Sequence, residues 1–144
     1  MIEQVSVFLE NKPGHLAQLA RTLADAGINM RALMVADTEQ FGVVRIICDR
    51  PHAAKGALED AGFGVSITRV VAVEMPDRPG GLADVLEALG AEGMNVEYAY
   101  AFVEPDARAA VDIFKVDDER AGAVLERAGL KVLAADALYE QDSI

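Results

Sequence analysis

Two stretches of this chain carry residue types that could hold a small zwitterion. The first is Asn11-Lys12-Pro13-Gly14-His15-Leu16 and the second is Asp77-Arg78-Pro79-Gly80-Gly81-Leu82. In each, a proline fixes φ and the glycine after it leaves room for a close backbone approach. An apolar helical stripe follows at once. The loop therefore ends where a helix presents unpaired N–H groups and the positive end of its dipole, which suits a carboxylate. The polar side chain two positions before each proline, Asn11 or Asp77, can accept a hydrogen bond from an ammonium group. A second pair of candidates is Gly27-Ile28-Asn29-Met30 and Gly93-Met94-Asn95-Val96, where an amide side chain opens a strand. The same residues also admit a purely architectural role, with Pro-Gly making a tight strand-to-helix turn and the asparagines capping backbone groups.

The two sets are copies of each other. Pro13 to Pro79 and Asn29 to Asn95 span the same 66 positions (79 − 13 and 95 − 29). A repeat of that length is a small domain and not a solenoid module. Val5, Val7 and Leu9 alternate with Gln4, Ser6 and Glu10, which predicts a strand with one buried face. Leu16, Leu19, Ala20, Leu23 and Ala24 fall on one helical stripe, and Leu82, Val85, Leu86, Leu89 and Gly90 repeat it in register. Gly27 and Gly93 read as helix stops. Second strands are expected over 30–36 and 96–102, turns over 37–42 and 103–108, and third strands over 43–48 and 109–116. Second helices are expected to start at Asp49 and at 117–119, with acids near the positive dipole end, and to stop at Gly62 and Gly129. Fourth strands are expected near 65–70 and 133–138. Residues 68–75 are continuously strand-like, so no flexible linker separates the halves. The order β-α-β-β-α-β, read twice, predicts an α+β chain of two ferredoxin-like units in tandem, 1–69 and 70–144. Each would hold an antiparallel sheet with both helices on one face.

Composition narrows the function classes. The chain has 144 residues, a net charge of −11, 52% hydrophobic residues and no Trp. Halves of this size make marginal solitary cores, so they are expected to pack together or dimerise. The acidic balance argues against nucleic acid and against an anionic membrane surface. With no apolar run long enough to span a bilayer and no signal-like N-terminus, a cytoplasmic protein is expected. Cys48 is the one cysteine and is expected as a buried strand residue, so no disulfide framework or thiolate cluster is available. His15 and His52 lack metal-ligand spacing, and no nucleophile has a base partner. No catalytic residue, metal or cofactor is therefore expected. His15 is open between a ligand contact and an exposed helix-start residue, and His52 is expected at the surface. Tyr98 and Tyr100 share a strand face and read as packing or interface residues.

Polar-x-Pro-Gly-x-Leu after a short strand, then an apolar helix, then Gly-hydrophobic-Asn-hydrophobic, resembles the ACT domain. Both copies carry the full pattern, and the resemblance covers nearly the whole chain. It implies a non-catalytic regulatory module that binds an amino acid. The ligand would lie between the loop after the first strand of one domain and the second-strand start of another. Carried onto this chain, the site comprises Asn11, Lys12, Pro13, Gly14, His15, Leu16, Asn29 and Met30 in the first unit, and Asp77, Arg78, Pro79, Gly80, Gly81, Leu82, Asn95 and Val96 in the second. The resemblance further implies a homodimer. The alternative is a ligandless ACT module that assembles with or regulates a partner metabolic enzyme. Asp77 and Gly81, standing where the first copy has Asn11 and His15, imply unequal sites, with the first unit expected to be the better one.

Overall fold

The computed structural model describes residues 1–37, 41–103 and 109–142. The chain forms two compact units. One comprises Glu3–Thr68 with the residues from Ala135 onward, and the other comprises Met1–Ile2 with Arg69–Ala134.

The first unit holds β1 (Ile2–Glu10), α1 (His15–Asp25), β2 (Met30–Asp37), β3 (Phe41–Cys48), α2 (Pro51–Asp60) and the start of β4 (Gly64–Pro76). Its strands lie in the order β2-β3-β1-β4. β3 runs antiparallel to both β1 and β2, with Val5 opposite Ile46 and Leu33 opposite Ile46 on the far side. Val5, Val7, Leu9, Val44, Ile46 and Cys48 form one apolar face. Leu19 and Leu23 of α1 and Ala54 and Leu58 of α2 pack on it. Both helices thus share one face, as the period-2 and period-3.6 patterns require.

The second unit repeats this with the remainder of β4, α3 (Gly81–Ala91), β5 (Val96–Val103), β6 (Ala109–Val116), α4 (Ala121–Arg127) and β7 (Lys131–Val132). Its order is β7-β4-β6-β5. Val85 and Leu89 of α3 and Val124 and Leu125 of α4 pack on Val71, Val73, Phe114 and Val116. The expected α+β fold of two ferredoxin-like units is therefore the observed one.

Four details differ from expectation. First, Gln4 and Ser6, on the face of β1 away from the helices, are buried as well. Their polar atoms are satisfied locally: Gln4 Nε2 donates to Ser6 Oγ at 2.9 Å, and Ser6 Oγ pairs with Thr68 Oγ1 at 2.8 Å. Second, no strand covers 133–138. The ladder with β4 spans Lys131–Val132, the Leu133 N–H adds one bond to the Ala72 carbonyl at 2.8 Å, and Ala135–Ala137 is a 3₁₀ turn. Third, the residues from Ala135 onward, the turn included, group with the first unit. Tyr139 is only 5% exposed, and its hydroxyl accepts from the Glu3 N–H at 3.0 Å. Fourth, Asp49 directly precedes the cap of α2, as expected, but its carboxylate accepts from Arg31 and the Glu140 N–H, and another acid meets the first-turn amides. Asp142 accepts from the N–H groups of His52 and Ala53 at 2.8 and 3.0 Å. Arg50 caps α2 with φ at 47°, a left-handed value that strains a side chain. The turns expected over 37–42 and 103–108 fall largely outside the described residues.

Candidate ligand site

In the first unit, β1 ends at Glu10 and α1 begins at His15, so four residues must reverse the chain. Gly14 takes φ 87° as the cap of α1. A Cβ there would meet nothing within 4 Å, so the backbone angle, not crowding, calls for glycine. The His15 N–H donates to the Lys12 carbonyl at 3.3 Å, and the Gln18 N–H donates to the Gly14 carbonyl at 2.9 Å. The first-turn N–H groups of Leu16 and Ala17 have no acceptor inside the helix. Lys12 lies 2.6 Å from Glu10, and its hydrogen bond lowers the Glu10 carboxyl. Asn11, Lys12, Pro13 and Gly14 are exposed. Beside this loop His15, Glu10, Gln18, Phe8 and Phe63 help to line a depression of about 180 Å³.

The second loop has the same backbone but a different lining. Gly80 takes φ 91°, and the Asp84 N–H donates to its carbonyl at 3.0 Å. Arg78 is folded back, with Nη2 on Asp84 at 3.0 Å and Nη1 on the Pro79 carbonyl at 3.1 Å. A Cβ at Gly81 would sit 2.8 Å from the Pro76 carbonyl oxygen. That contact explains why glycine stands where the first copy has His15. Asp77 is exposed, and so is Leu82. The neighbouring cleft, about 540 Å³, is lined by Met75, Pro76, Leu130, Glu74 and Lys131 among others.

The strand starts lie elsewhere. Asn29 and Asn95 are both exposed, while Met30 and Val96 are partly buried against their cores. Glu10 pairs with Phe41 at one end of β3 and Met30 pairs with Cys48 at the other. At about 3.4 Å per residue the loop and the strand start are on the order of 20 Å apart. The same holds in the second unit, where Pro76 pairs with Ala109 and Val96 with Val116 at opposite ends of β6. The structure therefore does not bring Asn11 to Asn29, or Asp77 to Asn95, within a unit.

Around Asn95 lies a cleft of about 330 Å³, lined by Gly93, Met94, Asn95, Glu97, Val116, Asp117 and Asp118. Around Asn29 the corresponding space is crossed by side chains. Arg31 Nε and Nη2 donate to Asp49 Oδ1 and Oδ2 at 3.2 and 2.8 Å, and Arg50 Nη2 donates to the Gly27 carbonyl at 2.8 Å. The Glu140 N–H donates to Asp49 Oδ1 at 2.7 Å. That hydrogen bond, and then Arg31, hold the Asp49 carboxyl below the usual range against its burial. The repeat itself carried the signal for this difference, because Arg31 stands where the second copy has Glu97. Two other groups bear on chemistry. Cys48 is fully buried, and burial, with the nearby Asp49 charge, pushes its thiol up to about 12. Asp112 is 3% exposed, Oδ2 has no hydrogen-bond partner, and burial raises its carboxyl to about 6. Among the described residues, no group of three His, Cys, Asp or Glu could hold a metal ion. None of the described helices is long and apolar enough to cross a membrane.

Two paired glycine-capped loops and two paired strand starts, in duplicated β-α-β-β-α-β units, match a family model for the ACT domain pair over residues 1–141. The chain belongs to the ACT domain pair family. Protein BT0572 of Bacteroides thetaiotaomicron is 38% identical in its crystal structure, with 93% of this chain and 92% of that chain covered and a TM-score of 0.88. The ligand-free regulatory subunit of aspartate kinase from Thermus thermophilus is similar at 19% identity, covering 88% and 89%, with a TM-score of 0.67. The Thermus flavus regulatory subunit of aspartate kinase is similar at 18%, covering 88% and 90%, with a TM-score of 0.64. At these lower identities the likeness is one of fold. No curated protein matches the chain. The ACT pair is a regulatory-type fold.

Proposed function

We propose that this ACT pair is a non-catalytic amino-acid sensor that works as a homodimer. The observation that carries the reading is the duplicated glycine-capped loop at a helix start, matched by a duplicated exposed asparagine at a strand start. The loop's first-turn N–H groups suit a carboxylate, and the amide oxygens of Asn11 and Asn29 suit an ammonium. Within one unit these lie about 20 Å apart, so a ligand that touches both takes its loop from one copy of the chain and its strand start from another. β2 and β5 are the outermost strands of the order, and both carry exposed apolar residues: Leu33 and Val35 on β2, Val103 on β5. Leu16, Leu82 and Leu86 are exposed on the helices that follow the two loops. Pairing through such an edge buries the apolar strip and satisfies the backbone.

Regulatory subunits of aspartate kinase share the fold, which supports a second reading. The same exposed edges would fit a partner metabolic enzyme, with no small ligand. Thermal melts with the twenty protein amino acids separate the two. A true ligand at 100 times its dissociation constant stabilises by about 2.7 kcal/mol. A shift with one amino acid or a few related ones supports the sensor. No shift with any of them at millimolar concentration favours the assembly module.

A further inference from the structure

We propose that the C-terminal segment Tyr139–Asp142 occupies a latent ligand cleft in the first unit. This rests on the amino-acid-sensor reading and names a regulation of its site. The two strand-start ends are equivalent by register, since Met30 pairs with Cys48 as Val96 pairs with Val116. Gly27, Ile28, Asn29 and Arg31 therefore correspond to Gly93, Met94, Asn95 and Glu97, and Cys48, Asp49 and Arg50 correspond to Val116, Asp117 and Asp118. In the second unit these residues line an open cleft of about 330 Å³. In the first unit the tail is bonded to two of them, Asp49 and Arg50.

The tail's contacts have the chemistry of a zwitterion. The Glu140 N–H donates to Asp49 Oδ1 at 2.7 Å, and the Glu140 carbonyl accepts from the Arg50 N–H at 2.6 Å. Two residues on, the Asp142 carboxylate accepts from the His52 and Ala53 N–H groups at the start of α2. A nitrogen donor thus sits on a carboxylate, and a carboxylate sits on helix-start amides. A free amino acid offers the same two groups, and its full positive charge strengthens the bond to Asp49. Arg31 and Arg50, bonded to Asp49 and the Gly27 carbonyl, make this end less acidic than that of the second unit, which has Glu97 and Asp118 in their places. The tail therefore competes with ligand in the first unit and leaves the second unit's cleft free.

The test titrates three full-length or near-full-length proteins with the amino acid that gives the largest shift in the melt panel. They are the wild type, Asp142→Ala, and a chain ending at Leu138. Both variants should bind at the first unit at least tenfold more tightly than the wild type. Unchanged affinity in both overturns the tail's role and leaves the sensor reading standing. Binding of no amino acid to any of the three overturns both. Hydrogen exchange gives a readout in the unaltered chain. At saturating ligand the Glu140 amide should exchange at least tenfold faster, and an unchanged rate overturns displacement.

Discussion

Replacing Asp112 by valine should stabilise the protein, and by more at neutral pH than at acid pH. Asp112 faces the helix-side core of the second unit, between Val73 on β4 and Ala101 on β5. Register makes it the counterpart of Val44, since Val7 pairs with Val44 as Val73 pairs with Asp112. It is 3% exposed, and its Oδ2 has no partner to offset desolvation. Burial alone raises the carboxyl from 3.8 to about 6. The folded state therefore holds this proton more tightly than the unfolded chain. The favourable contribution is complete below the unfolded value and is lost as pH rises through about 6. At neutral pH the loss is on the order of 2–3 kcal/mol. Asp112→Val removes that dependence. At pH 7.5 its melting temperature should be higher by roughly 5–10 °C for a chain of this size. The assay is urea denaturation of both proteins at pH 4.5 and 7.5. Groups common to the two cancel in the difference between their unfolding free energies. That difference should grow by about 2–3 kcal/mol between the two pH values. A difference that stays constant with pH would refute the assignment of a buried, unpaired carboxyl at this position.

Gly81→Ala should destabilise by about 1–3 kcal/mol, because its Cβ would press within 2.8 Å of the Pro76 carbonyl. Gly14→Ala should cost only the strain of its positive φ, about 1–2 kcal/mol, and thermal melts of the two variants rank them. Asp49→Ala should destabilise by roughly 3 kcal/mol, since Arg31 loses both hydrogen bonds and the Glu140 N–H loses its acceptor. The Asp49 carboxyl is held low, so its contribution is present above the ordinary carboxylate range and is lost as pH falls through its lowered value. The variant should accordingly lose the wild type's corresponding acid transition in stability. Cys48 should resist a thiol reagent at pH 8 in the folded protein and react at once in denaturant, because it is buried and its thiol is pushed up to about 12.

The repeat made most of the architecture legible. Leu19 and Leu23, with Val85 and Leu89, mark helix faces by period, and Val5, Val7 and Val44 mark strand faces. The loops closed by Gly14 and Gly80 were readable from their Pro-Gly pairs, whereas the reason for glycine there, a positive φ and not a close approach, came from the structure. The tail was not readable. Nothing local in residues 133–142 distinguishes a fourth strand from a segment held by Asp49, Arg50 and the α2 amides, all some ninety positions away. The burial of Gln4 and Asp112 was hidden for the same reason, since a polar residue in an alternating strand reads as solvent-facing. The separation of Asn11 from Asn29 was available in principle. An eleven-residue helix between them spans about 16 Å, and that length alone keeps the two amides apart.

The shared site is tested most directly by calorimetric titration of mixed dimers. Asn11→Ala and Asn29→Ala should each weaken binding of the panel-selected amino acid by about 1–3 kcal/mol, since a charged group loses its partner. Mixing the two variants and allowing subunits to exchange places both substitutions in one site and leaves the other intact. The mixed dimer should recover half of the wild-type first-unit sites at wild-type affinity. Recovery of none, or wild-type binding by either variant alone, would contradict a ligand held between the loop of one copy and the strand start of another.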